Sequence, residues 1–170
     1  MQKIAKFDKI SEHQFIADWC GATGRETSEA QMVYESIRLP RRATIGSAGY
    51  DFYAPEAFSL KPNETIRIPT GIRAEIAEGW VLQLYPRSGL GFKYRLQMNN
   101  TVGIIDSDYF HADNEGHIFI KLTNASNENK TVHVEAGEGF AQGIFLPFGI
   151  TEDDDADGQR HGGFGSTTNK

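Results

Sequence analysis

The residues best suited to chemistry fall in five short stretches. Pro86-Arg-Ser-Gly-Leu-Gly91 offers a guanidinium fork, a hydroxyl and unhindered amides side by side. Those are the parts from which phosphate oxygens are bound. It is not a Walker A loop, because no Gly-Lys-Ser/Thr stands at the required spacing, and alone it also reads as a tight turn with a solvated arginine. Asn99-Asn-Thr-Val-Gly-Ile-Ile-Asp-Ser-Asp-Tyr109 carries a hairpin signal, then two apolar residues, then carboxylates. Asp106 follows Ile104 and Ile105, a setting that desolvates a carboxylate and suits it to act as a base. Asp108 is either its solvated neighbour or shares the site. Ser47-Ala-Gly-Tyr-Asp-Phe-Tyr-Ala54 sets Asp51 among aromatic residues, as a turn-capping or a site carboxylate. Gly137-Glu-Gly-Phe-Ala-Gln-Gly143 presents the Gln142 amide, to a phosphate or water or as an ordinary polar strand residue. Gly162-Gly-Phe-Gly-Ser-Thr-Thr168, just after Arg160, holds one aromatic among glycines and hydroxyls. That composition suits an arm that orders over a ligand.

These stretches need elements to hold them. From about residue 44 the pattern is of short alternating strands: Phe58–Leu60, Thr65–Ile68, Ile72–Ile76, Val81–Tyr85, His117–Leu122 and Thr131–Val134. Turn signals separate them at Lys61-Pro-Asn63, Thr70-Gly71, Glu78-Gly79, Asn124–Asn129 and Ala136-Gly137. Many short strands at close spacing predict an all-β sandwich, barrel or jelly roll. No long helical periodicity interrupts them, which excludes a doubly wound α/β sheet. Residues 1–39 differ. Ser11 caps a predicted helix through Trp19, Gly21–Gly24 reads as a loop, and a second helix is predicted over Glu29–Ile37. Pro40 ends any helix before it. The organisation expected is a part-helical N-terminal insert (1–39), a β domain (40–150), and an acidic linker with a glycine-rich arm (151–170). The run Thr151–Asp157 is a solvated linker, and its spacing does not fit a calcium loop.

Composition narrows the function classes. The chain has 170 residues, 39% of them hydrophobic, enough for one core. The formal net charge of -6 disfavours direct nucleic-acid binding, but a few arginines bind a triphosphate within an acidic protein. No apolar run approaches the ~20 residues of a membrane span, and Met1–Ile10 lacks the pattern of a secretory leader. The single cysteine, Cys20, forms no intramolecular disulfide and reads as a small buried or half-buried hydrophobe. A cytoplasmic setting is the expectation, that of the host if the chain is phage-encoded.

Taken in order, the five stretches resemble the five motifs of the trimeric dUTPase family, over about Leu39 to Thr168. The resemblance implies a distorted β jelly roll with a flexible C-terminal arm, forming a homotrimer whose three active sites are shared between chains. It implies Mg²⁺-dependent hydrolysis of dUTP to dUMP and pyrophosphate by water attack on the α-phosphorus, which keeps uracil out of DNA. In that reading Asp106 is the general base, and Asn100 and the backbone around Gly103 read the uracil edge. Tyr109 lies under the deoxyribose, where a 2′-hydroxyl would clash. Arg87, Ser88 and Gly89 are phosphate ligands, with Gln142 near the phosphates. Asp51 holds the metal through water. Arg160, Ser166 and Thr167 contact the γ-phosphate, and Phe164, followed by Gly165, stacks on the uracil.

Two segments depart from the family pattern: residues 1–39, and the longer loop Phe110–His117 after Tyr109. His111, Asp113 and His117 have metal-ligand spacing, but surface loop residues are the expected reading. Thr168 also stands where a glycine is usual. Inserts of this kind are similar to those of bacteriophage dUTPases. The alternative is therefore a phage regulatory protein that binds and inactivates a repressor through residues 1–39 or 110–117, besides or instead of catalysis. A dCTP deaminase shares the fold but needs a glutamate base, and these motifs fit it less well.

Overall fold

The computed structural model describes residues 2–158. Alternation of apolar and polar residues, punctuated by turns, gives the expected strands and several more. In chain order they are β1 (Ala5–Lys9), β2 (Arg41–Arg42), β3 (Tyr50–Tyr53), β4 (Phe58–Leu60), β5 (Thr65–Pro69), β6 (Ile72–Ile76), β7 (Trp80–Pro86), β8 (Leu96–Met98), β9 (Gly103–Ile105), β10 (Phe119–Asn124), β11 (Val132–Val134) and β12 (Gly139–Pro147). All pairings between them are antiparallel, in four sheets: β2-β3-β12-β7-β9, β5-β10-β8, β1-β6 and β11-β4. This is the mostly-β jelly-roll architecture that the sequence predicts, with no closed barrel. The core is a single cluster that includes Phe52, Leu82, Leu84, Ile105, Ile118, Ile120, Leu122 and Phe140.

Two helices fill most of the N-terminal stretch. α1 (Glu12–Thr23) starts at Ser11, whose hydroxyl accepts the Gln14 amide, as the capping signal predicts. It runs past Trp19 through the predicted loop and stops at Gly24, which takes the left-handed conformation (φ 70°). α2 spans Thr27–Ser36. Both anchor in the main core: Phe15 and Trp19 are fully buried, and Ile10, Ala30 and Ile37 join the same cluster. β1, which sequence patterning does not reveal, pairs with β6 along its whole length. No described helix is long and apolar enough to cross a membrane.

Two local expectations need correction. The segment after Pro86 is not merely a turn. It forms α3 (Ser88–Tyr94), despite Gly89 and Gly91, because the Gly91 and Arg95 amides bond back to the Arg87 and Gly91 carbonyls. The Asn99–Val102 reversal does not close a two-stranded ladder. β8 pairs with β10 while β9 pairs with β7, so the reversal carries the chain from one sheet to another.

Candidate functional site

The phosphate-type residues meet at one end of the five-stranded sheet. Register sets Arg41 opposite Asp51, Asp51 opposite Gln142, and Gln142 opposite Tyr85, a single row across β2, β3, β12 and β7. Directly paired residues share a face. Arg87, just beyond β7, reaches back to this row: its Nε lies 3.1 Å from Asp51 Oδ1, and its Nη1 donates to the Gly139 carbonyl at 3.3 Å. Gln142 Nε2 donates to the Pro86 carbonyl at 3.1 Å. Two glycines make this approach geometrically feasible. A Cβ on Gly139 would stand 2.9 Å from Arg87 Nη1, and one on Gly49 would stand 2.5 Å from Gln142 Oε1. Ser88 and Gly89 are exposed in the first turn of α3, beside this group. Arg41, exposed and without an ion pair among the described residues, is a member of the row that motif reading misses. Only the strand register, which is a tertiary fact, brings it beside Asp51.

The base-type residues lie at the other end of the same sheet. β9 runs antiparallel to β7, with Gly103 opposite Leu84 and Ile105 opposite Leu82. Asp106, half-buried, leaves the sheet just after Ile105. From Leu82 to Arg87 is five residues, about 17 Å at ~3.3 Å per strand residue. Within one chain Asp106 and Arg87 therefore stand toward opposite ends of β7. Asn100 and Gly103 border a pocket of about 300 Å³ whose other walls include Met98, Phe119 and Arg67. Tyr109 is 3% exposed, in the 3₁₀ turn Ser107–His111, and its hydroxyl donates to the His117 carbonyl at 2.8 Å. Arg160, Phe164, Gly165, Ser166 and Thr167 fall outside the described residues.

In the loop after Tyr109, His111 and Asp113 are exposed as expected, but His117 is not. His117 is fully buried, its Nδ1 2.6 Å from Asp18 Oδ2 on α1 and its Nε2 accepting the Gly71 amide at 2.8 Å. Apolar flanks at Phe119 and Phe15 explain why the ring sits inside. Burial pushes the imidazole pKa down, against the pull of Asp18. Burial also disfavours charge on Asp18, but bonds from His117 and Gln14, with the nearby positive groups, hold its pKa below the ordinary value. Among the described residues no group of three or more His, Cys, Asp or Glu is arranged to hold a metal ion, so His111, Asp113 and His117 do not converge. One face of the five-stranded sheet is half apolar and uncovered among the described residues: Ile104 and Leu146 are exposed and Ile144 is half-buried.

The dUTPase family model matches residues 35–168. The deoxyuridine 5′-triphosphate nucleotidohydrolase of Lactococcus lactis subsp. lactis (strain IL1403) is 44% identical over 134 residues, covering 77% of this chain and 88% of the relative. A crystal structure of dUTPase from Streptococcus mutans superposes with a TM-score of 0.60 at 39% identity, over 69% of this chain and 91% of that one. A Staphylococcus bacteriophage 80alpha dUTPase mutant with dUpNHpp superposes with a TM-score of 0.63 at 21% identity, over 92% of this chain and 98% of that one. It is described among phage dUTPases that control transfer of virulence genes by a G protein-like mechanism.

Proposed function

Since the chain belongs to the dUTPase family and is thereby a dUTP-hydrolysing enzyme, we propose that it cleaves dUTP at the α-phosphorus, at sites shared between three copies of itself. The observation that carries this reading is the row Arg41–Asp51–Gln142–Tyr85 with Arg87 folded onto it. It gathers residues from distant motifs into one phosphate-binding group. The base, Asp106, belongs to the far end of the sheet. A second copy must therefore supply it, and the uncovered face bearing Ile104, Ile144 and Leu146 offers apolar surface for such an assembly.

In the proposed step Asp106 orients a water and takes its proton as the water oxygen bonds to the α-phosphorus. The bond to the bridging oxygen breaks, and pyrophosphate leaves with the electron pair. Arg87, with Ser88 and the Gly89 amide, binds the phosphate oxygens on which charge builds. Gln142, its amide oriented by Pro86, lies next to them. The donor set fits Mg²⁺: Asp51 is a half-buried carboxylate in the row, and this ion commonly takes one or two carboxylates plus substrate phosphates while keeping waters. When bound, Mg²⁺ neutralises charge on the triphosphate. The pocket bordered by Asn100 and Gly103 receives uracil, and Tyr109 backs the deoxyribose. Arg160, Ser166 and Thr167 reach the γ-phosphate, while Phe164 and Gly165 cover the base.

The alternative, a regulatory contact with a repressor, has weaker support. The likeness to the 80alpha protein is one of fold, and the end of the loop 110–117 is committed within the chain, with Glu115 and His117 bonded to Ser11 and Asp18. The test of function is pyrophosphate release with Mg²⁺ from dUTP, dCTP, dTTP and UTP side by side. Release from dUTP alone is expected. Equal release from UTP would contradict the deoxyribose assignment, and no release from any would reject the enzymatic reading.

A further inference from the structure

The two segments that set this chain apart, residues 1–39 and 110–117, grip each other beside Tyr109. Ser11, the N-cap of α1, donates its amide and hydroxyl to the two Glu115 oxygens, both at 2.7 Å. Two turns further along α1, Asp18 takes the Nδ1 proton of His117 into a 2.6 Å hydrogen bond. The tautomer is dictated by the Gly71 amide, which must donate to Nε2 and so leaves Nδ1 as the protonated nitrogen. The imidazole is thus fixed at both nitrogens and flanked by the rings of Phe119 (4.3 Å) and Phe15 (6.1 Å). A ring held this way fixes its own backbone, and the carbonyl of the same residue accepts the Tyr109 hydroxyl at 2.8 Å. Asn114 Nδ2 completes the triangle, 3.0 Å from the Tyr109 hydroxyl and 3.3 Å from the His117 carbonyl. Arg73 braces the start of the loop, stacked on Phe110 at 3.5 Å and donating to its carbonyl at 2.9 Å.

We infer that Asp18 and His117 are positioning residues for the reaction: through the His117 carbonyl they set the Tyr109 ring, and with it the packing behind the deoxyribose that separates dUTP from UTP. The inference rests on the reading of Tyr109 as the residue behind the deoxyribose. Neither Asp18 nor His117 touches substrate. Their effect is to remove the freedom of one phenol, which matters because rejection of a 2′-hydroxyl is steric and fails when that packing can retreat.

Selectivity decides the matter, because a merely structural contact would leave it unmoved. Pyrophosphate release from dUTP and from UTP is measured for the full chain and for Asp18→Asn, Glu115→Gln, Tyr109→Phe and the Asp18→Asn/Tyr109→Phe pair. Asp18→Asn, which keeps an acceptor for Nδ1 but removes the negative charge, is expected to raise KM for dUTP and cut the dUTP/UTP ratio of kcat/KM by about threefold to tenfold, the difference between a charge-assisted and a neutral hydrogen bond, with a smaller change in kcat. Tyr109→Phe should do the same, and the double variant should be no worse than either single one. Glu115→Gln, which keeps the His117 pair, should give a weaker form of the same change and serves if Asp18→Asn does not fold. Unchanged selectivity in Asp18→Asn and Glu115→Gln, or additive losses in the pair, would overturn the inference. Tyr109→Ala separates the two readings: if it leaves the dUTP/UTP ratio intact, the deoxyribose assignment itself is wrong.

Discussion

Truncating Phe15 to alanine probes whether the N-terminal helices belong to the fold that carries the site. The side chain is fully buried. Its ring lies 5.6 Å from Tyr34 and 6.1 Å from His117. On the third side it meets the backbone at Gly71, where an added Cβ would stand 3.2 Å from Phe15 Cδ2. Gly71 has φ +71°, so that wall cannot move in to fill a void without unseating the Gly71 amide from His117. A cavity that cannot collapse puts the cost in the usual Phe→Ala range, about 3–5 kcal/mol. For a domain of this size each kcal/mol lowers Tm by about 2–4 °C, so a drop of roughly 6–20 °C is expected. Differential scanning calorimetry at fixed protein concentration reads it, since any self-association would make Tm concentration-dependent. One cooperative transition shifted by that amount is the predicted result. A shift below about 3 °C, or a separate early melting of the helices with the main transition unmoved, would show that the helices are not part of the cooperative core.

Three further outcomes follow from the same geometry. Gly139→Ala should push the Arg87 guanidinium off Asp51 and lower kcat/KM for dUTP by roughly 10–100-fold, the worth of a charge-assisted hydrogen bond, with the fold intact by circular dichroism. Asp106→Asn should lower kcat by about 10²–10⁴ while dUTP binding, followed by calorimetry, persists. Stability should fall on acidification: burial depresses the His117 pKa below 6.5, so the unfolded chain binds the extra proton first. The His117 contribution is complete above about pH 6.5 and is lost as pH drops toward the lower folded pKa, at up to about 1.4 kcal/mol per pH unit. Asp18, with its pKa held below 3.8, stays ionised through that window. Urea unfolding at pH 7.5, 6.5 and 5.5 should show the loss, and His117→Gln should remove that part of the slope.

Much of the β fold was legible because its strands alternate and its turns are written in Pro-Asn, Thr-Gly and Glu-Gly pairs. α1 was legible at its start, where Ser11 caps, but not at its end, since the stop comes at Gly24 and not at the first glycine. β1 was hidden because Ala5–Lys9 shows one large apolar residue, Phe7, in a polar run, and the pairing with β6 that makes it a strand is non-local. α3 was hidden by its glycines, whose low helix propensity is overridden by the closing bonds at Gly91 and Arg95. The motif residues Asp51, Arg87 and Gln142 could be nominated from residue type, yet Arg41 could not, because its place beside Asp51 depends on register. His117 failed for the same reason. Its partner Asp18 is 99 residues away, and loop composition alone suggested the surface.

In the proposed site one chain supplies the phosphate-binding residues and another the base. Mixing tests it directly. Chains carrying Arg87→Ala and chains carrying Asp106→Asn, each inactive alone, are co-refolded in equal amounts and assayed for pyrophosphate release from dUTP. Random assortment into trimers gives both intact residues at about one site in four, so recovery of about a quarter of the wild-type rate is predicted. A mixture as inactive as its components would mean that Arg87 and Asp106 of different chains do not share a site.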